Sequence, residues 1–484
     1  MEAQTKKKEI VSYLLKNKVL VTTTFMKKLD NEQELETIYQ KVQSKENINQ
    51  IIQETKKNNQ EKTDIKKSNV KIIFNYTTPS NKRKIQDFID YYNARYKALE
   101  KILQNRQELS SLTSIGRLTA KNDRETVSII GMIKDKQTTK NNNIILEVED
   151  PTGTIKILAS KNKPEICEIA NNTAFDEVIG ITGVTGNNII FANSIVLPEI
   201  PVITELKKAP DQAYAIVISD IHVGSTEFLE EEFKKFISWI KGESGNEQQK
   251  QIAKKVKYIF IVGDLVDGVG IYPKQENELK IKDIHEQFKA CAEYLKQIPS
   301  HIPLLICPGN HDPGRISEPQ PPISQEYAAP LYEMKNVIML SNPAIVNIHS
   351  SENFPGFNIL MYHGYSFDEY AAQIPLIRSN GGYDRGDLIM KFLMQRRHLA
   401  PSHTSTLHIP DAEKDPLVIE KIPDFFLTGH IHKTSIANYR SITMICSSCW
   451  QARTSFQEKV GHHPEPCRVP IINLQTRAIK IMRF

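Results

Sequence analysis

Pro303-Leu-Leu-Ile-Cys-Pro-Gly309-Asn310-His311-Asp312 is an apolar run that breaks abruptly into a turn carrying an amide, an imidazole and a carboxylate. Four other stretches are written the same way. Tyr214-Ala-Ile-Val-Ile-Ser ends in Asp220-Ile221-His222, and Tyr258-Ile-Phe-Ile-Val ends in Gly263-Asp264. Phe357-Asn-Ile-Leu-Met-Tyr ends in His363-Gly364, and Asp424-Phe-Phe-Leu-Thr ends in Gly429-His430-Ile431-His432. Continuous hydrophobic runs of this kind are how strands buried on both faces read. Their polar terminators therefore collect along one rim of a sheet, where α/β and sandwich enzymes build their sites.

The inventory on that rim is Asp220, His222, Asp264, Asn310, His363, His430 and His432. Residues i and i+2 of an extended segment face the same side, so Asp220 with His222, and His430 with His432, can each send two ligands to one place. Imidazole, carboxylate and one amide, without cysteine, suit Mn²⁺ foremost, or else Mg²⁺, Fe²⁺ or Zn²⁺, better than they suit a thiolate-rich structural zinc site. Seven ligands exceed one four-coordinate ion and suit two divalent metal ions sharing Asp264 as a bridge. Any one of these motifs is ordinary turn chemistry. Their combination, in this order and each at a strand end, is specific.

Outward from this rim the chain is conventional. Its 484 residues, at about 100–200 per domain, allow two to four domains. A charged share of 25% and a hydrophobic share of 40% exclude wholesale disorder or a fibrous repeat. No apolar run reaches the roughly 18 residues of a membrane span, and the start of the chain lacks a secretory stretch. Six scattered cysteines point to a reducing, cytoplasmic setting rather than a disulfide framework. Residues 1–110 hold 22 Lys+Arg against 14 Asp+Glu, whereas all 13 histidines lie at or after His222. The basic front suits a polyanion, an acidic partner or simply solvent. The chemistry belongs to the second half.

The reading along the chain is multidomain α+β. Residues 1–50 form a small helical module, with Ile10, Leu14 and Leu15 on one stripe and Leu35, Ile38, Tyr39 and Val42 on another. Residues 51–81 read as flexible linker and 82–118 as a helical connector. Residues 119–205 carry five short strands with one interruption, which fits an OB-type β-barrel. Residues 206–484 hold the ligand-bearing strands.

The ordered set Asp-x-His, Gly-Asp, Gly-Asn-His-Asp, His-Gly and Gly-His-x-His resembles the calcineurin-like metallophosphoesterase superfamily over about residues 210–484. That resemblance implies an αββα sandwich with a dinuclear centre. Gly263-Asp264-Leu-Val-Asp267-Gly-Val-Gly-Ile-Tyr-Pro273, Arg396-Arg-His-Leu-Ala-Pro401 and Trp450-Gln-Ala-Arg-Thr-Ser-Phe456-Gln are similar to the small subunits of archaeal family D DNA polymerases. So is the order helical module, linker, barrel, phosphoesterase. The resemblance implies a metal-dependent 3′-to-5′ exonuclease that binds a large catalytic polymerase subunit and DNA, single-stranded 3′ ends in particular, and no membrane. One ion would take Asp220, His222, Asp264 and His432, the other Asp264, Asn310, His363 and His430. His311 would face the leaving 3′-oxygen, and Asp312 would orient that imidazole from behind. Competing readings are a phosphatase or endonuclease on the same fold, and a scaffold subunit with little activity of its own.

Weaker signals read as structural. Cys446 and Cys449 form a C-x₂-C pair inside an apolar run and suit buried strand positions better than zinc. His398, His403 and His408 read as surface residues. Arg396 and Arg397 suit exposure, a DNA phosphate or a partner carboxylate, and the Tyr- and Lys-rich Lys82–Lys101 suits a packed helix face or base stacking with phosphate contacts.

Overall fold

The computed structural model describes residues 2–16, 29, 32–43, 70–78, 82–118, 124–202, 205–411 and 413–484. The chain divides into two units, residues 1–68 and 69–484. In the first, helices α1 (Glu2–Lys16) and α2 (Glu32–Gln43) pair through Ile10 on one and Leu35, Ile38 and Val42 on the other. The α2 residues recur every three or four positions, the spacing of one helical face. The side chains of Leu14 and Leu15, expected on the α1 stripe, lie outside the described residues, as do residues 51–69 of the expected linker.

The second unit opens with a correction. Val70–Asn75, inside the stretch expected to be linker, is strand β1, paired antiparallel with residues 344–348. The polar tract before it drowned the signal, although Val-Lys-Ile-Ile-Phe is strand-forming composition. Helix α3 (Ile85–Leu103) follows and buries Tyr91, Arg95, Tyr96, Leu99 and Leu103, so Tyr91 and Tyr96 belong to a packed face while Lys97 and Lys101 stay exposed. Strands β2 (Thr126–Thr138), β3 (Ile144–Asp150), β4 (Gly153–Ala159), β5 (Val178–Gly186) and β6 (Ile189–Val196) close into a barrel in the order β2-β3-β4-β6-β5. Inward-facing Ile129, Leu146, Val148, Ile157, Ile181 and Ile190 fill it. The interruption is the helix Pro164–Asn171.

Two six-stranded mixed sheets make up the rest. One runs β10 (Val337–Met339), β9 (Leu304–Cys307), β8 (Val256–Val262), β7 (Tyr214–Ile218), β16 (Arg468–Asn473), β17 (Ile479–Arg483). The other runs β1, β11 (Ala344–Ile348), β12 (Phe357–Met361), β13 (Phe425–Thr428), β15 (Ile442–Cys446), β14 (Ser435–Tyr439). Phe233, Phe236 and Phe288, from helices Glu230–Ile240 and Ile284–Leu295, pack with Ile216, Ile259 and Leu304 of the first sheet. Ile389 and Leu393 of helix Gly386–Arg396 pack with Phe426 and Met444 of the second. Among the described residues, no helix is long and apolar enough to cross a membrane.

Three residues expected at the surface are interior. Arg396 donates from Nε to Glu177 Oε2 at 2.8 Å and from Nη2 to the Asn172 carbonyl at 2.8 Å, tying the last helical turn to the barrel. Arg397 donates to the carbonyls of Ile419 and Glu420, each at 2.7 Å. His398 lies 2.7 Å from Asp415 Oδ2, which also accepts from Arg95 Nε at 2.7 Å. Their partners are distant in sequence, so the rule that charge stays outside unless paired had nothing local to act on. His408 is half-buried and stacks on Tyr91 at 5.0 Å, while His403 is exposed as expected. Cys446 and Cys449 are buried and unbridged.

Candidate metal centre

Each ligand-bearing turn sits at the carboxyl end of a parallel strand: Asp220 and His222 after β7, Asp264 after β8, Asn310 after β9, His363 after β12, and His430 and His432 after β13. The two sheets thus deliver their turns to one place, and all seven predicted side chains meet there. His222 Nε2 and His432 Nε2 are 3.1 Å apart, and Asp220 Oδ1 is 3.4 Å from the latter. Asn310 Oδ1 is 3.0 Å from His363 Nε2 and 3.1 Å from His430 Nδ1. Between these groups lies Asp264. Its Oδ1 accepts the His311 backbone N–H at 2.8 Å, while Oδ2 stands 3.3 Å from His363 Nε2 and 3.9 Å from His222 Nε2.

The side chains converge, but the backbone behind them is not extended chain. Asp220, His222, Asp264, His430 and His432 have φ of 51°, 54°, 53°, 71° and 54°, all left-handed. Non-glycine residues there are uncommon, and such conformations cluster at functional sites. Backbone bonds hold them: Asp220 N–H donates to the Gly263 carbonyl at 3.0 Å and Ile221 N–H to the Asp264 carbonyl at 2.7 Å. Gly309 and Gly429 line the cradle from behind, since a Cβ on the first would overlap Asp264 Oδ1 and on the second would press on Asp220 Oδ2.

The donor chemistry suits cations. Burial alone would raise the Asp264 carboxyl, yet the His363 and His311 imidazoles hold it well below the usual range. Burial opposes a charge on His363, but Asp264, and then Asp220, keep its proton up to about 10. His363 Nδ1 lies 2.8 Å from the Val262 carbonyl, an acceptor only, so that nitrogen carries hydrogen and Nε2 is the one offered to the cluster. Four carboxylate, amide and imidazole donors around each half, at these separations, are what hard-to-borderline divalent ions take.

His311 and Asp312 divide differently from expectation. The His311 ring is half-buried on the cavity wall, with Nδ1 2.8 Å from the Asp267 carbonyl, which leaves Nε2 for the cavity. Asp312 does not stand behind that imidazole. Its Oδ1 accepts the Leu265 N–H at 3.0 Å and its Oδ2 the Gly309 N–H at 2.9 Å, fastening the β8 turn to the β9 turn. Burial, and then the Asp264 charge, push its carboxyl up to about 7. The carboxylate one position after a histidine cannot double back to its ring when the turn directs it to backbone donors.

Five further residues complete the surroundings. Asp267 is fully buried, 3.1 Å from His222 Nδ1, and accepts from Gln451 and Gln275, each at 2.9 Å. Asp368 is 3.2 Å from His430 Nε2, and Gln457 is 2.9 Å from His432 Nδ1. Partners of this kind fix the orientation of ligating histidines. Asp267, three residues after Asp264, and Gln451 and Gln457, within Trp450–Gln457, were visible as sequence but not as roles.

The family model for the B-type subunit of DNA polymerases alpha and epsilon matches residues 215–436. A DNA polymerase II small subunit of Methanothermobacter thermautotrophicus is 40% identical over 401 residues, covering 83% of this chain and 80% of that one. The corresponding protein of Archaeoglobus fulgidus is 38% identical, with 83% and 78% covered. That of Pyrococcus furiosus is 36% identical, and this chain spans 64% of its length. A solved structure described as a novel archaeal phosphodiesterase aligns over 56% of this chain and 99% of its own at 12% identity and TM-score 0.28, too low to argue from.

Proposed function

The chain belongs to the DNA polymerase II small-subunit family, and from that premise we propose that it is the nuclease-bearing small subunit of a two-subunit replicative DNA polymerase. In this reading residues 206–484 are a calcineurin-like αββα phosphoesterase, the barrel is of OB type, and a larger polymerase subunit docks on it. The activity is removal of nucleotides from single-stranded 3′ ends of DNA with two divalent ions, Mn²⁺ foremost. One observation carries it: Asp264 Oδ2 lies between His363 Nε2 at 3.3 Å and His222 Nε2 at 3.9 Å, the placement of a shared carboxylate.

Asp220, His222, Asp264 and His432 would hold one ion; Asp264, Asn310, His363 and His430 would hold the other. Ions so held supply Lewis-acid polarisation of the phosphodiester and a nucleophile drawn from water at neutral pH. Asp267 and Asp368 keep the rings of His222 and His430 aimed inward. His311, its Nδ1 committed to the Asp267 carbonyl, would present Nε2 to the leaving 3′-oxygen as proton donor or electrostatic stabiliser, while burial holds the proton affinity of its ring below the ordinary value. Gln451, Gln275 and Asp312 hold the turns that carry these groups.

The test is purified protein, Mn²⁺ and 5′-labelled single-stranded DNA. A ladder shortening from the 3′ end supports the reading. Internal cuts would make it an endonuclease, and inert DNA together with retention of a larger polymerase chain would leave only the scaffold.

A further inference from the structure

A cavity of about 250 Å³ covers the ligand cluster, and part of its wall is apolar. Tyr272, Ile316 and Phe456 are part of that wall, with Tyr272 and Phe456 beside His311. Phe456 stacks on Tyr272 with ring centroids 5.4 Å apart and 26° between the planes. Tyr272 is fixed in turn: its hydroxyl donates to Glu278 Oε2 at 2.8 Å, and its ring lies 6.4 Å from that of His311. Phe456 is nevertheless 45% exposed and Ile316 43% exposed.

The short helix Ser455–Val460 that presents Phe456 is anchored rather than loose. Thr454 and Gln457 cap each other at 3.2 Å, and Gln457 also reaches His432. The sequence therefore places a flat hydrocarbon surface beside a polar cluster, braces it from both sides, and leaves part of it to water. Apolar area kept open at such a place costs solvation free energy that covering it would recover. A nucleobase is the planar partner that a phosphodiester brings with it.

We propose that the Phe456–Tyr272 stack is a base platform: it takes the base of the nucleotide that retains the leaving 3′-oxygen, laid on the open part of Phe456, and so sets the scissile phosphate over the cluster. This rests on the nuclease reading above. Because His311 marks the leaving-group side, the platform serves the penultimate residue of a 3′ end, not the residue released. Stacking uses a π-face common to every base, so the platform is tolerant of sequence. A base held in a duplex must first leave its stack to reach it, so unpaired ends are preferred.

The experiment uses the full-length chain with Mn²⁺ and three 5′-labelled single strands: unmodified, abasic at the penultimate residue, and abasic at the terminal residue. Base–aromatic stacking predicts that the wild type has roughly tenfold lower kcat/KM on the penultimate-abasic strand than on the unmodified one. Phe456→Ala should bring that ratio close to unity, and Phe456→Trp should preserve it. Uniform slowing of all three strands by Phe456→Ala, or an unchanged ratio, overturns the platform while leaving the nuclease reading standing. Loss of discrimination at the terminal residue instead overturns the leaving-side assignment. A wild-type protein inert to every strand overturns the nuclease reading and the platform with it.

Discussion

A single methyl group at Gly309 tests whether the cluster is held to the tolerance that catalysis needs. The new Cβ of Gly309→Ala would overlap Asp264 Oδ1 and stand 2.6 Å from the Asp264 backbone nitrogen and 2.8 Å from its Cγ. Gly309 has little room to retreat. Its N–H is bonded to Asp312 at 2.9 Å and its carbonyl to Gln320 Nε2 at 3.0 Å. The displacement therefore falls on Asp264, which must withdraw by about 1 Å at its backbone and further at its carboxylate to reach ordinary contact near 3.5 Å. Its Oδ2, now 3.3 and 3.9 Å from two histidine nitrogens, leaves the point shared by both halves of the cluster. Misplacement of that size costs on the order of 100-fold in rate. Elemental analysis should show reduced Mn²⁺ content, and single-turnover excision of 5′-labelled single-stranded DNA should fall by about that factor. Thermal melting reads the separate cost to folding. Full metal occupancy with an excision rate indistinguishable from wild type would refute the idea that Asp264 must sit where it does.

Other expectations follow from the same geometry. His311→Ala should keep its metal and lose roughly 10²–10⁴-fold in excision, so undiminished activity removes the leaving-group role. Asp264→Ala should lose both ions, visible by elemental analysis; retention of one would mean that the carboxylate is not shared. Glu177→Gln leaves the buried Arg396 charge without its partner and should cost about 3–5 kcal/mol in urea unfolding. Burial, and then the nearby Arg95 charge, depress the His398 imidazole to about 4, where neutral Nδ1 accepts the Ala400 N–H at 2.9 Å. Its folded value lies below the unfolded one near 6.5, so its contribution is complete above pH 6.5 and is lost as pH falls through about 4. His398→Gln should flatten the unfolding free energy across that window, and an unaltered slope would assign the acid sensitivity elsewhere.

The candidate ligand set was legible in sequence because each strand-end turn that bears it follows a hydrophobic run, and burial on both faces erases the alternation that would otherwise blur a strand. Convergence followed from topology alone, since parallel strands expose their carboxyl ends together. The local path did not. An i, i+2 spacing reads as extended chain, whereas Asp220, His222, His430 and His432 reach the same point through left-handed residues. Long-range pairing was equally silent. Nothing near Arg396 announces Glu177, 219 residues earlier, and nothing near Arg95 announces Asp415, 320 residues later. Asp312 illustrates the third limit: its identity was plain, but only the turn decides whether a carboxylate meets a ring or a row of N–H groups.

The left-handed ligands also bear on the choice between enzyme and scaffold. A residue in that region costs about 1–3 kcal/mol and persists only where surrounding structure enforces it. Five such residues here, Asp220, His222, Asp264, His430 and His432, bring their side chains into one cluster. A protein serving only to hold a partner gains nothing from this. Glycine at the same positions would ease the backbone, and apolar side chains would ease the burial of two carboxylates and three imidazoles at His222, His363 and His432. Asp220 and Asp264 are instead kept charged in a buried site, one of them pinned by a backbone N–H so that a single oxygen remains directed at two imidazoles. A bound cation would offset the buried carboxylate charge and give the strained turns a use. That coincidence weighs for a working metal centre more heavily than any one of its motifs.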